Sequence, residues 1–291
     1  MKLKVETENE DYSNIIPTFK PAKRLKICSL KADYTGNKLG QRMMKIVFEE
    51  ALRYDVDEIY VTVFNTSPQR KRLIGMIQGW GFRRVGVKDQ KELVFARCMN
   101  KQLTDNPCTC YPYQDVNAAS FVVSLRKDYA SMLLPTLECR IHKDDVEPYK
   151  SAIRKVLVIG EELEEMNCGS VLLFFQKSDE KKENRVVAAG VVEKVYSNFS
   201  DEKEFYSRCR RRSFLSNELL SKYWDVYDKR PVVVEFLYTY SFNEDFIGEE
   251  QFNKLGIKDL YNEQVFRLTN NNFKNLIQGS NYEKNIVINK T

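Results

Sequence analysis

The chain has 291 residues, of which 43% are hydrophobic and 30% charged, and its 17 Phe, 16 Tyr and 2 Trp exclude an intrinsically disordered protein. Its length predicts two domains, and because no apolar run approaches the about 18 residues of a membrane span, we expect no membrane association. The net charge of +5 is uneven: residues 1–100 hold 19 Lys and Arg against 12 Asp and Glu, whereas residues 101–291 hold 27 against 29. A basic N-terminal third is suited to a phosphate-bearing ligand.

The seven cysteines are an odd number without an export signal, which predicts a reducing, cytoplasmic setting. Cys108 with Cys110, and Cys139 with His142, are the pairs that most resemble metal ligands. Because the chain has no Cys-x-x-Cys pair and this spacing matches no common zinc module, we expect no metal site.

The first hundred residues alternate between strand and helix patterns. Strands are predicted at 25–32, 59–64, 82–87 and 93–98, and helices at 39–54 and in a segment that ends at residue 80. Gly81 directly follows the second helix, which is typical of a helix C-terminus. The order strand, helix, strand, helix, strand predicts an α/β domain over residues 1–99.

A linker is predicted at residues 100–120, because Pro107 and Pro112 interrupt any helix or central strand there. Residues 121–291 are richer in strand patterns. Strands are predicted at 153–159, 170–176, 185–196, 232–238 and 264–268, with helices near 202–210, 217–223 and 271–277. Several strands with short helices predict a small mixed β domain, and the fold class is therefore α/β plus mixed β.

The segments 25–54 and 73–82 resemble the C-terminal half of the GNAT acetyltransferase superfamily. Thr35-x-x-Lys38-x-Gly40 stands at the place of that family's Arg/Gln-x-x-Gly-x-Gly/Ala loop, an amphipathic helix follows it, and Gly81-Phe82 follows the second helix. The resemblance implies acetyl-CoA as a cofactor, with its pyrophosphate held by backbone N–H groups ahead of the helix. The cofactor-binding residues implied are Thr35, Lys38, Leu39, Gly40 and Gln41.

Two departures from that family bear on activity and assembly. Ile77 stands where many active members have a tyrosine that protonates the leaving thiolate, so no catalytic residue is assigned. The partial GNAT-like domain also lacks the family's first strands, which would leave a sheet edge uncovered at residues 25–30 and 59–64. We therefore expect a homodimer, or a partner protein, to complete the sheet.

Residues 150–280 resemble the PUA-like superfamily, near its EVE and ASCH members. The matching segments follow one another at 167–175, 185–193, 230–236 and 264–269. The resemblance implies a PUA-like small β-barrel domain that binds RNA, or a modified base flipped out of nucleic acid.

Four arginines within five residues predict a nucleic-acid groove in this second domain: Arg208, Arg210, Arg211 and Arg212. The alternative is a solvated helix end that Asp201, Glu202 and Glu204 neutralise. Trp224, together with Tyr196 and Phe175, is a candidate for base stacking, although aromatic residues near strands more often belong to the core.

These observations leave two hypotheses of different classes. One is an acetyl-CoA-dependent N-acetyltransferase whose second domain delivers it to RNA or DNA, or to a substrate bound there. The other is a non-catalytic nucleic-acid-binding protein whose GNAT-like part is a scaffold or interaction surface. Gly40 and the helix behind it favour the first hypothesis, whereas Ile77 and the missing strands favour the second.

Overall fold

The computed structural model describes residues 1–29, 39–134, 152–178, 184–209, 215–243, 245–258, 260–261 and 263–289. The chain forms two compact units. Unit 1 comprises residues 1–102 and 108–111, and unit 2 comprises residues 103–107 and 112–291. The segment predicted as a linker, 100–120, is thus divided between the two units.

Unit 1 is built on a six-stranded sheet: β1 (Lys2–Glu6), β2 (Ile15–Ile16), β3 (Arg24–Ser29), β4 (Glu58–Val63), β5 (Arg83–Lys88) and β6 (Glu92–Cys98). The strand order is β1-β3-β4-β6-β5-β2, and β3 pairs with β4 in parallel while the other neighbours are antiparallel. Helix α1 (Leu39–Arg53) joins β3 to β4, and α2 (Pro68–Gly79) joins β4 to β5. The predicted α/β alternation is confirmed, while the assignment to GNAT stays a prediction.

The ends and faces of these helices follow from their residues. Helix α1 buries Met44, Val47, Phe48 and Ala51 along one face. Helix α2 begins after Ser67, whose hydroxyl accepts a hydrogen bond from the N–H of Arg70. Just beyond α2, Gly81 has a φ of +84°. A Cβ there would lie 2.8 Å from the carbonyl oxygen of Thr109, which belongs to the short helix α3 (Pro107–Cys110). Both the backbone conformation and this close approach require glycine.

A buried carboxylate fixes β1 in the sheet. Glu6 is 1% exposed, and its Oε2 accepts hydrogen bonds from the hydroxyls of Tyr60 (2.6 Å) and Tyr12 (3.0 Å). Lys4 and Lys26 form ion pairs with Oε1 at 3.2 and 3.4 Å. Burial alone would raise the pKa of Glu6, but the hydrogen bonds from Tyr60, Lys4 and Tyr12 outweigh it and hold this pKa below its ordinary value.

The prediction that residues 25–30 and 59–64 form an uncovered sheet edge is wrong for the described part of these segments. β3 lies between β1 and β4, and β4 lies between β3 and β6. Strand β1 was missed because its sequence, Lys-Leu-Lys-Val-Glu, carries few apolar residues. A contact that supports it in the sheet, the hydrogen bond from Tyr60 to Glu6, involves a residue far along the chain. The expectation of a homodimer or partner protein that completes the sheet therefore loses its premise.

Unit 2 contains β7 (Gln114–Asp115), β8 (Ser120–Arg126), β9 (Arg154–Ile159), β10 (Val171–Lys177), β11 (Arg185–Tyr196), β12 (Val232–Ser241), β13 (Val265–Leu268) and β14 (Val287–Ile288). Its helices are α4 (Lys127–Leu133), α5 (Glu202–Cys209), α6 (Asn217–Val226), α7 (Glu249–Lys254), α8 (Asn270–Ile277) and α9 (Asn281–Ile286). Six strands form one sheet in the order β13-β8-β10-β11-β12-β9, and β7 pairs separately with β14. The predicted small barrel is corrected to an open sheet over the described ranges, because β13 and β9 lie at opposite edges.

Both faces of the unit 2 sheet are apolar. One face carries a cluster that includes Leu172, Phe174, Val234 and Phe236. The other carries Val156, Val158 and Val233, covered by side chains of α5 and α6. None of the helices that the structure describes is long and apolar enough to cross a membrane.

Candidate functional site

A pocket of about 440 Å³ opens on unit 2, on the face of the sheet that α5 covers and next to the end of that helix. Its size falls within the roughly 300–1,000 Å³ typical of small-molecule and cofactor sites. Strands β9, β11 and β12 supply its floor, and the last turn of α5 supplies its wall. The lining residues are Arg154, Glu193, Lys194, Tyr196, Ser207, Arg208 and Glu235.

A β-bulge in β11 places two consecutive charged residues in this pocket. Val192 pairs with Phe236 and Lys194 pairs with Glu235, so Glu193 is the extra residue of the bulge. Side chains in a regular strand alternate between faces, and the bulge removes that alternation locally. Glu193 and Lys194 consequently both line the pocket, while Val192 stays in the apolar cluster on the opposite face.

Arg154 is held at the pocket by a bidentate ion pair with Glu193. Its Nε donates to Oε2 at 2.7 Å and its Nη2 donates to Oε1 at 2.9 Å. The side chains are 22% and 15% exposed, so the pair is only partly screened by water. This arrangement fixes the plane of the Arg154 guanidinium.

Arg208 and Tyr196 form a flat wall on the α5 side. The guanidinium carbon of Arg208 lies 4.6 Å from the centroid of the Tyr196 ring, a cation–π arrangement. The Arg208 side chain is 43% exposed, so its outer face is open to solvent. An arginine plane stacked on an aromatic ring is a surface on which a nucleobase can stack.

One acidic residue of α5, Glu204, forms a long ion pair with Arg208. The N···O distance of this pair is 4.0 Å. The Glu204 carboxylate accepts hydrogen bonds from the backbone N–H and hydroxyl of Ser200, at 3.0 and 2.9 Å, and these bonds lower its pKa. Glu202 accepts hydrogen bonds from the hydroxyls of Tyr206 and Ser221. The acidic cluster therefore mainly supports the start of α5 and its packing on α6.

The thiol of Cys209, next to the pocket, is buried. Burial raises the pKa of Cys209 to about 12, and the negative charge of Glu235 adds to the effect. Over the ranges that the structure describes, no group of three or more His, Cys, Asp and Glu residues could hold a metal ion. Cys139 and His142 lie outside those ranges.

The structure places the predicted nucleic-acid residues in different environments. Arg208 lines the pocket, whereas Arg210, Arg211 and Arg212 lie outside the described residues. Trp224 is 8% exposed and packs on Phe205, with ring centroids 5.7 Å apart, in the cluster beneath α5 and α6. The aromatic residue at the pocket is thus Tyr196, and Trp224 has the environment of a core residue.

The residues implied to bind a cofactor lie at the start of α1. Thr35 and Lys38 fall outside the described residues, and so does the side chain of Leu39. A Cβ on Gly40 would lie 2.5 Å from the Sδ of Met76, so this glycine leaves space for the Met76 side chain. Gln41, the next residue of α1, is partly buried. Ile77, at the position of the family's acid, is fully buried and has no proton to donate.

Three solved structures of an ASCH protein from Zymomonas mobilis, a member of the PUA-like superfamily, resemble part of the chain. The crystal structure of that protein aligns with 58% of this chain and 98% of its own, at 14% identity and a TM-score of 0.38. Two single-residue variants align with 55% of this chain and 96% and 97% of theirs, at 14% identity and TM-scores of 0.40 and 0.39. No protein-family model and no curated protein matches the chain. At this identity and TM-score the likeness carries no assignment of function.

Proposed function

We propose that the protein binds single-stranded nucleic acid, RNA in the first place, through the pocket of unit 2. The observation that carries the proposal is the guanidinium of Arg208 lying over the Tyr196 ring at the mouth of a polar pocket. Such a layer offers stacking to a base and donors to a phosphate. Lys194 and Arg154 add positive charge to the same pocket.

Single-stranded rather than duplex nucleic acid fits this geometry. A base can enter a pocket only when it is unstacked and unpaired, which is the ordinary state of bases in single strands and loops. Among the described residues, the pocket mouth is formed by one helix turn and a sheet surface, and the helix there, α5, has only eight residues, too short to read a groove. The residues that follow Arg208 extend the positive charge, since Arg210, Arg211 and Arg212 are adjacent in the sequence.

The test is the affinity of the full-length chain for a fluorescent single-stranded RNA of mixed sequence and about ten nucleotides. Arg208→Ala should weaken binding roughly tenfold, because stacking of a base is worth about 1–3 kcal/mol. Arg267→Ala is the matched control, because Arg267 lies on β13 at the far edge of the sheet and is 48% exposed. Wild-type protein that does not bind RNA, or equal losses in the two variants, would contradict the proposal.

A second candidate function is binding of acetyl-CoA by unit 1. The parallel pairing of β3 and β4 ends at Ile27 and Val61, although the strands continue to Ser29 and Val63. Ligands of open α/β sheets bind at the carboxyl ends of parallel strands, and α1 begins on this side with its N-terminal amides. Transfer of the acetyl group forms no part of this proposal, because Ile77 replaces the family's acid.

Thermal unfolding with and without ligand tests the second candidate. At one hundred times its dissociation constant, a ligand should add about 2.7 kcal/mol to the stability of the state that binds it. Acetyl-CoA and CoA should therefore raise the unfolding temperature, while adenosine alone should not. Absence of a shift at millimolar acetyl-CoA would remove this candidate.

A further inference from the structure

Residues 64–88 of unit 1, the basic segment, carry six Lys and Arg and no Asp or Glu. They follow directly after β4 and run through α2 to the end of β5. Residues 1–100 as a whole hold 19 Lys and Arg against 12 Asp and Glu. Outside the basic segment, these hundred residues are balanced, at 13 against 12. The excess positive charge of unit 1 is therefore concentrated in this one segment.

Three consecutive cations of the basic segment, Arg70, Lys71 and Arg72, are exposed in the first two turns of α2. Within the part of unit 1 that the structure describes, none of the three forms an ion pair with a carboxylate. Arg24 of the same unit, in contrast, pairs with Glu58 at 2.7 Å. The positive charge of α2 is thus not neutralised by the described residues around it.

Helix stability does not explain these cations. The N-terminal end of a helix carries a partial positive charge, so acidic residues are favourable there and cations are unfavourable. The first turn of α2 contains no acidic residue. The charges of Arg70, Lys71 and Arg72 therefore oppose the helix locally, and a bound polyanion would remove this repulsion.

An exposed aromatic ring lies beside these cations. Phe64 is 38% exposed, and the guanidinium carbon of Arg70 lies 5.2 Å from the centroid of its ring. Nη1 of Arg70 also donates a hydrogen bond to the hydroxyl of Thr66. An arginine held over an aromatic ring offers a stacking face beside phosphate-binding charge. Arg208 and Tyr196 form the same kind of layer in unit 2.

The apolar side chains of α2 pack within unit 1. Ile77 is fully buried, and Leu73, Ile74 and Met76 are partly buried. A helix that binds a lipid surface needs an apolar face that is free to enter the bilayer. The exposed positions of α2 hold only Pro, Gln, Arg, Lys and Gly. Nucleic acid, whose phosphates are spaced along a chain, therefore suits this surface better than a membrane.

We propose that the basic segment is a second nucleic-acid-binding surface, which holds the backbone of a single strand and does not depend on the pocket of unit 2. The side chains of Arg70, Lys71 and Arg72 contact phosphates, and the layer of Arg70 on Phe64 stacks on a base. Phosphate contacts carry no sequence information, so this surface adds affinity and no base preference. An RNA long enough to reach both surfaces binds more tightly than one that reaches either alone.

The experiment measures the affinity of the full-length protein for a single-stranded RNA of mixed sequence and about thirty nucleotides, over a range of salt concentrations. Lys71→Ala combined with Arg72→Ala should weaken binding at low salt. It should also flatten the slope of log affinity against log salt by about 1.4, because each phosphate contact contributes about −0.7. This variant should fold, since both residues are exposed and alanine favours a helix.

The matched control is Lys20→Ala combined with Arg53→Ala. It removes the same charge from unit 1 at exposed positions outside the basic segment, so the salt slope should stay as in wild type. Phe64→Ala should weaken binding at low and high salt alike, because stacking is insensitive to salt. A double variant of α2 that matches its control at every salt concentration would overturn the proposal.

Arg208→Ala in the same assay separates the two surfaces. A loss of affinity in Arg208→Ala, with the α2 variant equal to its control, would overturn the basic-segment proposal and leave the pocket in place. A loss in the α2 variant alone would support the basic segment and contradict the pocket. Vesicles of phosphatidylserine and phosphatidylcholine test the other partner: vesicle binding that the α2 variant loses, with RNA binding unchanged, would overturn the assignment to nucleic acid. Wild-type protein without RNA affinity would overturn both proposals.

Discussion

Tyr196 and Trp224 are aromatic residues of the same unit with opposite environments. The Tyr196 ring lies at the pocket beneath the Arg208 guanidinium, whereas the Trp224 ring contacts Phe205 within an apolar cluster and is 8% exposed. An aromatic ring in the second setting contributes to folding through burial. Sequence reasoning named both residues as stacking candidates, and their burial separates them.

Replacement of Trp224 by alanine should destabilise unit 2. Removal of a large buried aromatic side chain costs about 3–5 kcal/mol, because the cavity that remains is only partly filled. Val226→Ala is a matched control on the same helix, since Val226 is 73% exposed. Urea denaturation followed by circular dichroism measures both variants. Full stability of Trp224→Ala combined with weaker RNA binding would instead assign Trp224 to the binding site.

Sequence reasoning found Arg208 but missed Arg154, Glu193 and Glu235. The sequence does contain a sign of Glu235, because this residue interrupts the apolar run from Val232 to Leu237. A charged residue inside a buried strand requires a partner or a ligand, so such an interruption is informative by itself. Arg154 could not be found in this way, because its role depends on the strand pairing that brings β9 beside β12.

At the scale of elements, the strands and helices with strong periodicity were predicted within one or two residues. Helix α1 was expected at 39–54 and spans Leu39–Arg53, and β11 was expected at 185–196 and spans Arg185–Tyr196. The bulge in β11 was not predicted, although Glu193-Lys194 is a break in alternation that a bulge explains. The local sequence pattern predicts where a strand or helix lies. Which face of the sheet each side chain occupies depends on how the strand pairs with its neighbours.

The strand β1 shows the limit of local pattern most clearly. Its alternation is short, and its pairing with β3 is supported by Glu6, which accepts hydrogen bonds from Tyr12 and Tyr60. The strand β3 and Tyr60 both lie farther along the chain, so no short window of sequence around β1 contains its partners. The expected open sheet edge followed from this omission.

Substitution of Glu6 by glutamine should lower the stability of unit 1 at neutral pH by about 1–3 kcal/mol, because buried charged hydrogen bonds are lost. The pKa of Glu6 is lowered in the folded state, so its contribution is present above the ordinary pKa of a glutamate and disappears as the pH falls through the folded value. The difference between wild type and variant should therefore shrink in acid.

Chemical denaturation over pH 3–7 measures this difference. Glu10→Gln is the control, because Glu10 also pairs with Lys4 but is 35% exposed, so its replacement should change stability little. A difference between wild type and Glu6→Gln that stays constant down to the lowest pH would show that the carboxylate charge does not anchor β1.

At the scale of the molecule, the excess of positive charge lies in the first hundred residues. Residues 1–100 have 19 Lys and Arg against 12 Asp and Glu, while the rest of the chain is close to neutral. The proposed pocket of unit 2 thus does not depend on a large net charge but on the local grouping of Arg154, Lys194 and Arg208. A basic unit 1 can raise the rate of encounter with RNA without adding specificity.

The most direct test of nucleic-acid binding is the salt dependence of RNA affinity for the full-length chain. Each neutralised phosphate of a single strand contributes about −0.7 to the slope of log affinity against log salt, so three or four arginine contacts predict a slope of about −2 to −3. Alanine at Arg210, Arg211 and Arg212 together should flatten this slope by about 2. Arg208→Ala should flatten it less and remain weaker than wild type at high salt, because stacking is insensitive to salt. A wild-type protein with no measurable RNA affinity at low salt, or variants that match it at every salt concentration, would contradict the account.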